Sequence, residues 1–215
     1  MHTARDISGA IGVGVLVITL LTLLYKHRNA GRAKWYYISA VFVLTVVEAY
    51  NTFQRSTDPN YNSSPVYIIG LDLIVFALLL LYFHKLLAVR LCRQISTGIF
   101  VLFFTQYILG AILIDDFFQQ VPFITYFMGV FCLAVSIVLV LSETFNSKKI
   151  FALQNYFPFW ACISTLIIFI GALPLIFARY YAGLSANLFY TTLFMVHVLG
   201  QIATIIGIFK AKTDE

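Results

Sequence analysis

The feature that most constrains this chain is its long runs of apolar sequence without charge. A helix needs ~20 mostly apolar residues to cross a hydrocarbon core about 30 Å thick. Such runs extend from Ile7 to Tyr25, Trp35 to Gln54, Ser64 to Phe83, Gln94 to Ile114 and Val121 to Ser142. Two more lie within Ile150 to Ala178 and Leu184 to Phe209. Glu48 is the one acidic or basic residue in the second run, and Asp72 in the third. Barrel strands alternate polar and apolar residues, whereas Ile74 to Leu81 is apolar throughout. In lipid the backbone must satisfy its own hydrogen bonds, so continuous runs become helices. The expectation is an all-α membrane protein with seven transmembrane helices in one domain, 1–215. At 61% apolar and 11% charged residues, the chain lacks the charge to cover a water-facing surface. That excludes an ordinary soluble enzyme, a nucleic-acid-binding domain and a disordered segment.

The basic residues give the orientation. Lys26, Arg28, Arg32 and Lys34 follow the first run, and Lys85, Arg90 and Arg93 follow the third. Lys148 and Lys149 follow the fifth, and Lys210 and Lys212 follow the seventh. Only Arg5, Arg55 and Arg179 fall on the opposite side. Basic residues concentrate on the cytoplasmic side, so the N-terminus is expected outside and the C-terminus in the cytoplasm. An inner or plasma membrane is expected, and the lipid bilayer is the first partner. The start of the chain lacks a basic run and a small-residue cleavage site, so the first span is expected to be retained. Asn62-Ser63-Ser64 matches a glycosylation sequon on the expected outer side.

Shifting the chain by 125 positions aligns the tryptophans of Trp35-Tyr36-Tyr37-Ile38-Ser39 and Trp160-Ala161-Cys162-Ile163-Ser164. It also places Lys85 on Lys210 and Asp72 on His197. The expected halves are 7–85 and 132–210, joined by the connector span 94–114, a 3+1+3 parallel repeat. This arrangement, though not its sequence motifs, resembles the small sugar and vitamin carriers of 3+1+3 build. In hydropathy, the first three spans resemble the membrane regions of bacterial sensor kinases and transcriptional regulators.

Ionisable residues inside membrane spans cost several kcal/mol to insert and mark functional sites by default. Asp72 falls roughly 12 Å from the outer end of its span, and Glu48 roughly 9 Å from the end of its own. His197 falls near the middle of the seventh span. Thr45, Glu48, Thr52 and Arg55 follow helical spacing, with Asn51 adjacent, as do Tyr190, His197, Gln201 and Thr204. The ligand-binding or proton-relay candidates are therefore Asp72, Glu48, His197, Gln201, Asn51 and Tyr190. Gln106 is read as packing or secondary. Pro174 is the hinge candidate, since a proline deep in a helix kinks it.

No cofactor or metal site is expected. Only His197 among the histidines lies well inside a span, and a catalytic zinc usually needs three ligands. The absence of lysine from Ile150 to Phe209 excludes a retinal Schiff base. Cys92, Cys132 and Cys162 have no metal or disulfide spacing. An enzyme is the less favoured class. Three functional expectations follow. The first is a seven-helix ligand-binding or sensing module with a separate cytoplasmic protein partner for output, since its own loops and tail are short. The second is a small-solute or proton-coupled 3+1+3 transporter. The third is a non-catalytic subunit of a membrane complex.

Overall fold

A computed structural model describes residues 4–58, 60–120 and 122–212, with side chains from Ser8 onward. Val121 and the side chain of Arg5, both used in the sequence reading, lie outside the described residues. Among the described residues the chain is all-helical. The long helices are α1 (Ala4–Tyr25), α2 (Lys34–Thr57), α3 (Ser64–Leu86) and α4 (Arg90–Leu113). They continue with α5 (Phe123–Phe145), α6 (Phe157–Tyr181) and α7 (Ala186–Lys210). Six of these are long and apolar enough to cross a membrane, the build of an integral membrane protein. The exception is α2, which is 24 residues long but less apolar. Its hydropathy is lowered by the polar residues Glu48, Asn51, Thr52, Gln54 and Arg55 near one end.

Local chemistry sets the helix ends. Asp58, which precedes Pro59, is extended and closes α2, as a residue before proline is pushed out of the helical region. Pro65 opens α3 and Pro158 opens α6, where a missing N–H costs little. The carboxylate of Glu143 accepts hydrogen bonds from the backbone N–H groups of Ala88 (2.8 Å) and Val89 (3.1 Å). An acid at the end of α5 thereby supports the positive end of α4. Short 3₁₀ segments, His27–Ala30 and Lys148–Asn155, precede α2 and α6.

Two helices carry wide π turns. In α3 the π segment is Tyr67–Val75, and in α6 it is Leu166–Ile170. The second has a cause in the sequence. Pro174 has no N–H to give the carbonyl of Ile170 and its ring crowds that carbonyl, so the helix widens in the preceding turn.

Packing orders the helices. Each of α1–α2, α2–α3, α3–α5, α5–α6, α6–α7 and α7–α1 is a packed pair, which closes a ring. Helix α4 lies beside it against α3 and α5. Phe76 of α3 is fully buried against three other helices. Its ring centroid is 5.0 Å from Phe169 of α6, 5.8 Å from Tyr126 of α5 and 6.5 Å from Phe103 of α4. Gly129 lets Phe76 reach α5, since a Cβ there would overlap the ring.

Burial is uneven along α6 and α7. Every buried residue of α6 lies at or before Ala172, and every buried residue of α7 lies at or after Gly200. From Leu173 to Leu199 none is buried. These two helices are packed tightly at the Lys210 end and loosely at the end where they join.

Candidate functional site

Glu48 and Asn51 sit on the face of α2 turned toward α3, and two tyrosines meet them. Tyr67 donates its hydroxyl to Glu48 Oε2 at 3.0 Å. The same hydroxyl accepts from Arg55 Nη2 at 3.1 Å, and Arg55 Nη2 also reaches Ser63 Oγ at 3.1 Å. The guanidinium carbon lies 5.6 Å from the Tyr67 ring centroid. Tyr67 thus stands between the acid and the base. Tyr61 donates to Asn51 Oδ1 at 2.8 Å, and the Asn51 amide nitrogen is buried without a partner among the described residues.

Asp72 is served by a different face of α3. It is 2% exposed, and neither carboxyl oxygen has a hydrogen-bond partner among the described residues. Tyr107 of α4 and Tyr126 of α5 lie within electrostatic range of it. The Tyr107 hydroxyl donates to Ile68 O at 3.2 Å, one turn from Asp72 on α3. Gln106, next to Tyr107, holds a buried amide nitrogen without a partner. Asp72 also lies one turn from Phe76, so it rests at the edge of the aromatic cluster around Phe76.

His197 and Gln201 belong to α7, which packs on α1 and α6. The Nε2 of His197 and Oε1 of Gln201 are both buried without a partner among the described residues. Gln201 lies in the tight half of α7, whereas His197 lies in the loose half. Tyr190 is farther toward the loose end, with its ring edge-on to Phe189 at 5.1 Å. No hydrogen bond or ion pair joins Glu48, Asp72 and His197 to one another among the described residues. The structure brings Glu48 and Asn51 close along one helix, and Gln201 and His197 along another, with Asp72 apart from both groups.

A second polar group crosses the ring at the Lys210 end. Tyr37 of α2 and Thr204 of α7 share a hydrogen bond of 2.9 Å between their hydroxyls. Thr204 also contacts Ser164 Oγ of α6 at 2.8 Å. Tyr37 packs edge-on against Phe157 (5.4 Å) and tilted on Tyr82 (5.2 Å). Beyond them, Asn29 Nδ2 donates to Ala211 O at 3.0 Å, and Lys212 N donates to Asn155 O at 3.1 Å.

The sequence assigned no site role to Tyr61, Tyr67, Tyr107 or Tyr126, and marked Tyr37 only as part of the repeat. One signal was available: Tyr67, Tyr107 and Tyr126 stand inside apolar runs, where an aromatic hydroxyl needs a partner. No protein-family model, curated protein or solved structure is significantly similar to this chain.

Proposed function

We propose that this chain is a seven-helix carrier that binds a small solute between two three-helix halves. The observation that carries the reading is the order of packing. If α1, α2 and α3 correspond to α5, α6 and α7, then the pair α1–α7 corresponds to the pair α5–α3. Both seams are packed, as a two-fold relation between the halves requires. The 3₁₀ segments before α2 and α6 fall in matching positions, which adds to the case.

The seventh span in this reading is α2. Its exposed residues Phe42, Val46, Tyr50 and Phe53 make an apolar outer face, while Thr45 and Asn51 are buried. A helix with its polar residues inward and its apolar residues outward suits lipid better than water. With seven spans, the basic loops place the N-terminus outside and the C-terminus in the cytoplasm of an inner or plasma membrane.

Uneven burial supports one stage of an alternating cycle. The Tyr37–Thr204–Ser164 bridge ties the halves together at the cytoplasmic end, and α6 and α7 are loose at the outer end. Asp72, His197 and Gln201 lie between these ends, and Pro174 with its π turn supplies a bend at which α6 can move.

The test is uptake into proteoliposomes from a defined mixture of small polar metabolites, read by mass spectrometry of the washed vesicles. We expect one or a few solutes to accumulate with the native chain and not with Asp72→Asn. A solute bound by the protein but never accumulated would replace the carrier with the sensing module. A co-purifying membrane protein with neither binding nor uptake would replace it with the subunit of a complex.

A further inference from the structure

The surroundings of Asp72 point to the charge of its ligand. Among the described residues, basic groups are scarce near it. Eleven of the chain's 14 lysines and arginines lie in the loops and helix ends of the Lys210 end. Arg55 is engaged by Tyr67 and Ser63, and Arg179 Nη1 donates to Leu184 O at 2.7 Å. His84 faces Ser96 Oγ at 3.2 Å, and His197 is on a helix that packs on α1 and α6. The charge-sensitive groups that reach Asp72 from the helices against α3 are the tyrosines 107 and 126.

A carboxylate buried without a counter-charge or a donor is expensive, so it is neutralised by a proton or met by a cation. Asp72 offers two oxygens with no hydrogen-bond partner among the described residues, and the tyrosines near it carry rings of the kind that attract cations. It also stands in a π segment, a local widening frequent at functional sites. We infer that Asp72 is the counter-ion of a monovalent cation, either an alkali ion or a small protonated amine. The cation occupies the space between α3, α4 and α5, with the Asp72 carboxylate as its charged ligand and Tyr126 and Tyr107 as its neighbours. This inference rests on the reading that Asp72 belongs to a solute path, and it supplies the charge of what travels there or of what drives it.

Cation binding can be measured without flux. The purified chain in detergent is heated in sodium, potassium, methylammonium or N-methylglucamine chloride at one ionic strength. A ligand of the folded state raises Tm with its concentration, by roughly 5 °C or more near 100-fold excess over Kd for a chain of this size. We expect a rise that grows with the logarithm of concentration for one small cation, no rise with the bulky N-methylglucamine, and loss of the rise in Asp72→Asn. A response to sodium or potassium identifies an inorganic ion, and one to methylammonium identifies an amine. Equal shifts in all four salts, or a shift that survives in Asp72→Asn, would overturn the inference. If that variant does not fold, equilibrium dialysis of the native chain against radiolabelled sodium, potassium and methylammonium decides. About one ion bound per chain supports the inference, and none bound overturns it. Binding without uptake would leave this inference standing and remove the carrier. Uptake with no dependence on any of these cations would do the reverse.

Discussion

Tyr67 shows how one hydroxyl can hold two opposite charges inside a helical bundle. It donates a hydrogen bond to Glu48 and accepts one from Arg55, so neither long side chain needs to reach the other. Tyr67→Phe leaves both charged groups short of a partner in a partly buried place. The expected loss is about 1–3 kcal/mol of stability, measured as a lower unfolding midpoint in detergent. Because all three residues act as a unit, Tyr67→Phe and Glu48→Gln together should cost less than the sum of their separate effects. Additive losses would mean that the bridge is not an energetic unit. The sequence exposed Glu48 and Arg55 as residues on one polar stripe of a helix. It did not expose Tyr67, which is distant in sequence and becomes their partner only because α3 packs against α2.

Helix α7 is an element built for close approach. Gly200, Ala203 and Gly207 make a narrow stripe, against which Ile168 and Trp160 of α6 are seated. Without a hydrophobic drive between helices in lipid, such small residues permit the van der Waals contact that holds them. Gly207→Ala would drive a methyl group into Trp160 and should cost about 1–3 kcal/mol. Gly14→Ala is the control, since nothing lies within 4 Å of its added carbon, and its midpoint should not fall. The hydroxyl bridge between α2, α6 and α7 is a weaker tie. Thr204→Val should cost roughly 0.6 kcal/mol and at most about 1.7, the range of measured interhelical bonds. In the carrier reading it should also favour opening at the basic end. A thiol-reactive probe added from that side should then label Gln201→Cys faster in the Thr204→Val background. Equal labelling rates would separate the bridge from any gate. Helical spacing made the stripe of His197, Gln201 and Thr204 legible from sequence. The loosening of α7 above Gly200 was not legible, since apolar residues there look the same whether they face lipid or a partner helix.

For the whole molecule, the decisive measurement is the side of the membrane reached by each loop. Reporters placed after Arg32 and after Asn60 flank α2. If α2 crosses the membrane they report opposite sides, with the Arg32 reporter cytoplasmic and the Asn60 reporter outside. The same side for both would remove α2 as a span and reverse the first helix relative to the rest. Sequence alone was enough for the helical class and for an integral membrane protein, because hydrocarbon allows a continuous apolar run hardly any other structure; of the seven spans expected, six are helices long and apolar enough to cross a membrane. It also marked Asp72 as exceptional, because a charge in an apolar run stands out without any knowledge of its neighbours. Packing set which helices touch, and hence that Glu48 is satisfied by Tyr67 while Asp72 has no hydrogen-bond partner among the described residues. That division has a physical cause. Partition into lipid depends on each segment's own composition, whereas hydrogen-bond satisfaction depends on which side chains packing brings within about 3 Å.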